Sequence, residues 1–403
     1  MTGPGAYWPA PWTGEDGGPR RHGCADGVPG LGIQPGERLD VAAVRDAFAT
    51  DLLVRRDPGE LYALRHGIAL GGAQAGPVDA WVERLDPLTL ATAAASPRLP
   101  GGPFWPGGIA AHANGSLHLV FGRWAHRLSP DLEVLASHRL PAERPHNSFV
   151  VLDGGELVTK DCDAPAGREP STVSVLDPET LLPVAAPLRL PEPSIARLSS
   201  DGEAVIAVGT TVVYALRLDR DAGRLQIDEA WQPAYGPAPD RSYGWDPVIT
   251  DEHVLWMDNG RNRTDATMLG SGDSPDPVRL WWARRDDARS VWSAEISWLP
   301  HGTESNPPGW DPAGRVVVAY DAGNAVLRAW RDATAHAGPG TTLWAALLHL
   351  PDVEQIPEPM RGQSLTVVQA MHLGDRAELD ALLADVRRAR LHELQGGTRI
   401  IDT

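Results

Sequence analysis

Pairs of short apolar strands separated by a polar turn recur along the chain. The clearest copies are IAAHANGSLHLVFG, SFVVLDGGELVTKD and SIARLSSDGEAVIAVG. Their turns carry Asn114-Gly115, Asp153-Gly154 and Asp201-Gly202, where the backbone needs a positive φ that glycine adopts at little steric cost. Apolar runs of this length on both sides of such turns predict β-hairpins.

Three weaker copies, DLLVRRDPGELYALR, WDPVITDEHVLWMD and GWDPAGRVVVAY, extend the series to six, with turns near residues 57, 114, 153, 201, 251 and 311. Each hairpin is followed by another strand and turn, as in RLSPDLEVL and VLDPETLLPV, so the repeating unit has four strands. A period of 40 to 50 residues is typical of propeller blades. We therefore predict an all-β fold, a β-propeller of about six four-stranded blades with seven left open; a β-sandwich does not predict six aligned copies.

The two ends of the chain lie outside the repeat. We predict an irregular N-terminal arm over 1–45, rich in Gly and Pro, which Trp8 and Trp12 would dock on the propeller of 46–351. We predict a C-terminal strand-helix extension over 352–403, because SLTVVQAMH reads as a strand and GDRAELDALLADVRRA as a helix.

The amino-acid composition and charge limit the classes of partner that the protein is expected to bind. The chain has 42 Gly and 37 Pro, as many short strands and tight turns require. With 53 acidic and 36 basic side chains its formal charge is -17, which disfavours nucleic acid and anionic membranes as partners. The sequence contains neither a secretory signal nor a long apolar span, so a cytoplasmic location is expected. Cys24 and Cys162 are too isolated for a disulfide framework or a cysteine metal site.

The predicted topology sorts the polar residues between the two faces of the disc. The hairpin turns, with His112 and Asn114, lie on one face, and the loops that converge on the axis lie on the other. Candidate residues on the converging face are His146 and Asp161 for catalysis, with His146 as the proton acceptor; Trp105, Tyr243 and Trp245 for substrate binding; and Asn147, Asp246, Asn306 and Asp258 as metal ligands.

The oxygen-rich set suits Ca²⁺, which takes six to eight oxygen ligands from flexible loops. Such an ion could polarise a carbonyl and lower the pKa of a bound water. The alternative is structural: Asp and Asn recur because they cap strand ends and turns, and the aromatic side chains belong to the core.

The segment PHNSFVVLDGGELVTKD, with Asn147, Asp153-Gly154 and Asp161, resembles a blade of the NHL, gluconolactonase (senescence-marker) and strictosidine-synthase-like propellers. In the lactonases of this group, the resemblance implies, a central calcium is held by Asn, Asp and Glu at inner strand ends and the reaction is hydrolysis of an ester or lactone. By position, Asn147, Asp246 and Asn306 match those ligands, whereas Asp51 stands where the family has a glutamate.

The tail segment IPEPMRGQSLTVVQAMHLGDRAELDALLADVRRA resembles a strand-helix piece of berberine-bridge-type flavin oxidases. The chain shows no flavin-attachment His or Cys context and no Gly-rich flavin-binding segment, so no flavin is expected.

Two functions remain open on the sequence. One is a divalent-metal-dependent hydrolase of small esters or lactones, indicated by the cluster of carboxylates and amides. The other is a noncatalytic propeller that binds a small-molecule ligand or a protein, because one fold serves many functions.

Overall fold

Six antiparallel sheets, each formed by consecutive strands, make up the propeller in the computed structural model. The structure describes residues 6–25, 42–43, 45, 52–66, 78–102, 107–162, 169–235, 244–258, 278–295, 307–321, 326–331 and 342–347. The all-β propeller prediction is confirmed, and the described residues form six blades.

Blades 1 to 3 occupy the first half of the chain. Blade 1 comprises β1 (Leu52–Arg55), β2 (Leu61–His66), β3 (Val78–Leu85) and β4 (Thr92–Ala95), and β5 (Leu99–Gly102) pairs with the free part of β3. Blade 2 comprises β6 (Gly108–Ala111), β7 (Leu117–Phe121), β8 (Trp124–Leu128) and β9 (Val134–Arg139). Blade 3 comprises β10 (His146–Val151), β11 (Leu157–Asp161), β12 (Thr172–Leu176) and β13 (Leu188–Arg189).

Blades 4 to 6 repeat the same order. Blade 4 comprises β14 (Ser199–Ser200), β15 (Ala204–Val208), β16 (Val213–Asp219) and β17 (Arg224–Ile227). Blade 5 comprises β18 (Val248–Ile249), β19 (His253–Met257), β20 (Arg279–Arg284) and β21 (Val291–Glu295). Blade 6 comprises β22 (Gly309–Asp311), β23 (Val316–Asp321), β24 (Val326–Arg331) and β25 (Thr342–Leu347).

The first turn of each clear repeat follows the sequence prediction, with one shift. Gly115 and Gly202 have φ of 86° and 100°, the left-handed backbone that a glycine adopts readily. In the blade 3 hairpin the positive φ falls on Gly155 at 95°, one residue beyond the predicted Asp153-Gly154 pair. The turn is therefore placed correctly, but the conformational requirement lies on the second glycine.

Apolar side chains from adjacent blades form shared cores. Because successive residues of a strand point to opposite sides of the sheet, each blade contributes to the core on either side of it. Val151 packs in the core between blades 2 and 3, whereas Val150 packs between blades 3 and 4. Ile249 and Val248 divide in the same way between the cores on the two sides of blade 5. Five such clusters join successive blades from 1 to 6.

The N-terminal arm lies against the inner strands. Residues 6–25 contain one short 3-10 turn, Glu15–Gly17, and are otherwise irregular. Ala6 and Tyr7 are buried with blades 2 and 3, and the Trp8 indole donates to Asp57 at 3.0 Å. The C-terminal extension predicted over 352–403, including the segment that resembles flavin oxidases, lies outside the described residues. Within the described ranges, no helix has the length and apolar character needed to cross a membrane.

The core between blades 4 and 5 offers a test of the shared-core arrangement. Trp256 is fully buried and stacks on Trp281 with ring centroids 6.4 Å apart. We expect Trp256→Ala to reduce the free energy of unfolding by about 3–5 kcal/mol because it leaves a cavity. Trp256→Phe should cost less, since the indole Nε1 has no hydrogen-bond partner among the described residues.

Urea denaturation measures both changes. Leu88→Ala serves as the control, because this side chain is 80% exposed and its loss should change stability by no more than about 0.5 kcal/mol. Equal losses for Trp256→Ala and Leu88→Ala would contradict the packing described.

Candidate functional site

A buried arginine of the arm stands at the centre of a charged cluster among the inner strands. The Arg21 guanidinium donates to Glu15 at 2.6 Å and to Asp16 at 2.8 Å. It also donates to the Ser148 hydroxyl of β10 and the Leu198 carbonyl just before β14, both at 2.7 Å. Arg21 therefore ties the arm to blades 3 and 4 at once.

A second arginine continues the cluster toward blade 5. The Arg197 backbone N–H donates to Asp246 Oδ1 at 2.6 Å, and its guanidinium lies 3.4 Å from Oδ2 of the same carboxylate. Arg197 Nε also lies 3.7 Å from Glu15 Oε2. The five groups alternate in charge, and we call them the axial network: Asp16, Arg21, Glu15, Arg197 and Asp246.

Burial and neighbouring charges set the protonation of this network. Burial raises the pKa of the Glu15 carboxyl, and the guanidinium groups of Arg197 and Arg21 oppose that rise. Burial alone would lower the pKa of Arg21, but the carboxylates of Glu15 and Asp16 outweigh it, so its pKa is raised. The arginines therefore remain charged, and Glu15 is the member whose ionisation is held back. Its Oε1 has no hydrogen-bond partner in the described part of the chain.

Asp161, a predicted catalytic residue, is engaged by its neighbours. Its Oδ2 accepts from Arg144 Nε at 3.0 Å, and its Oδ1 accepts from the Thr172 backbone N–H at 2.6 Å. Thr172 is the first residue of β12, so the carboxylate at the end of β11 caps the start of the next strand.

Asp258, a predicted metal ligand, repeats this arrangement in blade 5. Its Oδ1 accepts from the backbone N–H of Arg279, the first residue of β20, at 3.0 Å. Its Oδ2 accepts from the Trp281 indole at 2.7 Å. Two candidate site acids thus occupy equivalent positions and make equivalent strand-end contacts, which is the structural alternative considered for them.

Lys160 lies near two acid–arginine pairs, Arg144–Asp161 and Arg197–Asp246. Its side chain is buried, and Nζ donates to the Ser194 carbonyl at 2.6 Å. Burial lowers the pKa of its ammonium group, against the attraction of Asp161 and Asp246. Lys160 therefore links blade 3 to the segment that enters blade 4.

His146, the predicted proton acceptor, is fully buried at the start of β10. Its Nδ1 lies 3.2 Å from the Gly122 carbonyl, and its Nε2 has no partner among the described residues. Burial lowers the pKa of His146 to about 4, although the carboxylate of Asp161 acts in the opposite direction. The ring is neutral at pH 7, and in this conformation it has no surface open to a substrate.

The other predicted site residues divide into two groups. The Trp245 side chain is buried, and its backbone N–H donates to the Met257 carbonyl at 2.7 Å. Trp105, Tyr243 and Asn306 lie outside the described residues, as does the side chain of Asn147.

The donor set does not fit a cation well. Within the described ranges, no three His, Cys, Asp or Glu side chains are grouped to hold a metal ion. The oxygens of Asp246 and Asp258 accept hydrogen bonds from protein donors, so a cation would have to share these oxygens with those donors. The calcium site stays a prediction from the sequence.

The basic residues of the site carry little signal in the sequence. Arg197 interrupts an apolar run, SIARLSS, and Lys160 is the only lysine in the chain. Either peculiarity could have marked a special environment. Arg21 carries no such signal, because the arm has no repeat against which to compare it.

The chain is similar to solved structures of β-propeller proteins. They include the periplasmic gluconolactonase of Pseudomonas aeruginosa, with 16% identity, 73% of this chain and 86% of that chain covered, and a TM-score of 0.47. A protein from Lactobacillus plantarum has 12% identity, with 73% of this chain and 83% of that chain covered and a TM-score of 0.49. The WD40 domain of Neurospora crassa Pan2 has 11% identity, with 68% of this chain and 72% of that chain covered and a TM-score of 0.46. No family model and no curated protein matches the sequence.

Buried histidines predict how stability depends on pH. Burial lowers the pKa of His146 and of His126 to about 4 and that of His118 to about 3. Between about pH 6.5 and 4 the unfolded chain therefore binds protons that the folded chain does not. Stability is fully present above this window and falls as pH falls through it, by about 2–3 kcal/mol for each such histidine.

His146→Asn tests the assignment, because an amide can still donate to the Gly122 carbonyl but does not titrate. Chemical denaturation at pH 7 and pH 4.5 should give a smaller loss of stability for this variant than for the wild type. His138→Asn is the control, since that side chain is half-buried; an identical loss in all three proteins would contradict the prediction.

Proposed function

We propose that the chain is a noncatalytic β-propeller that binds a small anionic ligand on the face where its inner strands begin. The observation that carries the proposal is the order of charges at that face. The Arg197 side chain is 18% exposed while its partner Asp246 is 3% exposed. The Arg144 side chain is 28% exposed while its partner Asp161 is 2% exposed. In both pairs the arginine side chain is more exposed to solvent than the carboxylate that it contacts.

This order favours an anion as the ligand. A guanidinium presents a planar set of donors that matches a carboxylate or phosphate, and a buried acid fixes its orientation in advance. The net charge of -17 opposes anions at long range, but salt screens that repulsion beyond about 8 Å at physiological ionic strength.

The metal-dependent hydrolase has less support. It requires acidic oxygens directed toward a common ion, whereas Asp161, Asp246 and Asp258 accept hydrogen bonds from neighbouring protein groups. It also requires His146 to reach the substrate, and that ring is buried. The resemblance to lactonase propellers keeps this function as the second candidate.

Thermal denaturation with defined probes tests the proposal. We expect inorganic phosphate or citrate to raise the melting temperature more than sodium chloride of equal ionic strength, because a ligand that binds only the folded state stabilises it. Arg197→Gln should abolish that increase. Arg289→Gln is the matched control, because Arg289 is 94% exposed and its loss removes the same charge without changing the face.

The opposite pattern would support the hydrolase. In that case Ca²⁺ would raise the melting temperature, Asp246→Asn would remove the effect, and purified protein would carry a divalent ion by elemental analysis. Equal effects of phosphate on wild type and Arg197→Gln would refute the anion site.

A further inference from the structure

The inner strands of the propeller each have one edge without a strand partner. In the described residues, β1, β6, β10, β14, β18 and β22 stand first in their sheets and pair with one strand only. The N–H groups on the other edge face the central channel and need acceptors, because unpaired buried backbone donors are costly.

The arm supplies an acceptor to an inner strand of every blade. In blades 1 to 3, Arg55 N–H donates to the Trp12 carbonyl at 2.6 Å and Ala111 N–H to the Thr13 carbonyl at 2.8 Å, while Val151 N–H donates to the Tyr7 hydroxyl at 3.0 Å. The donors are the last residues of β1, β6 and β10.

The second half of the arm does the same for blades 4 to 6. Ser200 N–H donates to the Pro19 carbonyl at 2.8 Å, Ile249 N–H to the Arg20 carbonyl at 3.0 Å, and Trp310 N–H to the His22 carbonyl at 2.7 Å. Ser200 and Ile249 again end their strands, β14 and β18, and Trp310 is the middle residue of β22.

The arm thus consists of two halves that serve different halves of the disc. Through these hydrogen bonds residues 7–13 bind blades 1 to 3 and residues 19–22 bind blades 4 to 6. The Arg21 side chain also reaches Ser148 of blade 3. The turn at Glu15–Gly17 joins the two halves, and Arg21 locks the turn through Glu15 and Asp16. Asp16 and Arg21 hold left-handed φ values of 51° and 55°, a strained conformation for side chains of this size that persists where surrounding contacts impose it.

The strand pairings and hydrophobic clusters of the described residues do not join the last blade to the first, whereas the arm contacts both blades. Each sheet is made of consecutive strands, so no strand of blade 1 pairs with blade 6 in the described ranges. The five cores formed by the described side chains run from blade 1 to blade 6; of β24 and β25 these side chains include only that of Ala329.

From these contacts we propose that residues 6–25 are a clasp that holds the ring closed. The clasp acts as an internal peptide ligand for the channel edges of all six inner strands, and Arg21 is the residue that joins its two halves. This inference does not require that an anion binds, because it rests on the hydrogen bonds between the arm and the inner strands; the two proposals share the contact between Glu15 and Arg197.

The full chain, cut after folding, tests the clasp. A protease site inserted within residues 26–41 allows the N-terminal fragment to be released from the chain without removing it beforehand. We expect the fragment to remain with the propeller on size-exclusion chromatography and to separate only when the protein melts. A fragment that leaves while the remaining chain keeps the wild-type melting temperature would overturn the proposal.

Substitutions of two adjacent arginines provide the matched comparison. Arg21→Ala breaks a buried ion pair and should lower the melting temperature by more than about 5 °C and release the cut fragment. Arg20→Ala removes an exposed contact with Asp251 and should leave both properties near wild type. Identical behaviour of the two variants would contradict the clasp.

A milder pair covers the case in which Arg21→Ala fails to accumulate as folded protein. Tyr7→Phe removes the hydroxyl that accepts from Val151 in blade 3, whereas Tyr62→Phe removes a hydroxyl whose hydrogen bond goes to the Pro130 carbonyl, outside the arm. Only Tyr7→Phe should weaken retention of the cut fragment; equal retention in both would count against the proposal.

Amide hydrogen exchange distinguishes an arm that holds the ring closed from an arm that only covers the channel. If the arm closes the ring, Tyr7→Phe or Arg21→Ala should increase exchange most in residues 52–55 of blade 1 and 309–311 of blade 6, where the open ring would part. An equal increase in all six inner strands would mean that the arm only covers the channel, and the clasp would be wrong.

Discussion

Every inner strand of this propeller must find hydrogen-bond partners for an edge that faces a narrow channel, and this requirement organises the molecule. The two middle strands of a blade have a partner on both sides, whereas the first strand, which lies at the channel, and the outermost strand have a partner on one side only. The arm meets the requirement with carbonyls, with a tyrosine hydroxyl at blade 3, and with a buried guanidinium that reaches the carbonyl of Leu198. The arm has no sequence repeat of its own, but its position is fixed by its hydrogen bonds with the repeated inner strands.

The same arm brings charge into the channel, and this determines what chemistry the channel can support. Glu15 and Arg21 would be costly to bury singly, and each is stabilised by the other. Glu15 is stabilised further by Arg197. Asp246 is then neutralised from the neighbouring blade. A carboxylate held in this way serves to orient an arginine, and it is poorly suited to bind a cation that would have to compete with that arginine.

The fold could be predicted from the sequence because its signals are local. The Asp201-Gly202 pair marks a turn within a few residues of the strands that it joins, and six similar copies give a period. The contacts of the site are not local: Arg21 meets Ser148, 127 positions later, and Arg197 meets Asp246, 49 positions later.

Asp161 ends β11 and Asp258 directly follows β19, but what these acids do depends on partners that no short sequence pattern reveals. Asp161 illustrates the difference. Its position after a second strand was visible, whereas the N–H of Thr172 and the guanidinium of Arg144 that occupy its oxygens follow from the packing of loops.

The single lysine has a consequence for how this protein can be handled. The Lys160 side chain is buried between blades 3 and 4, and its ammonium group donates a hydrogen bond to the Ser194 carbonyl. Acylating reagents that modify lysine side chains would find no accessible target on the described surface, and this amine would react only when the two blades separate. The rate at which Lys160 is acylated therefore measures how often blades 3 and 4 separate, without an engineered label.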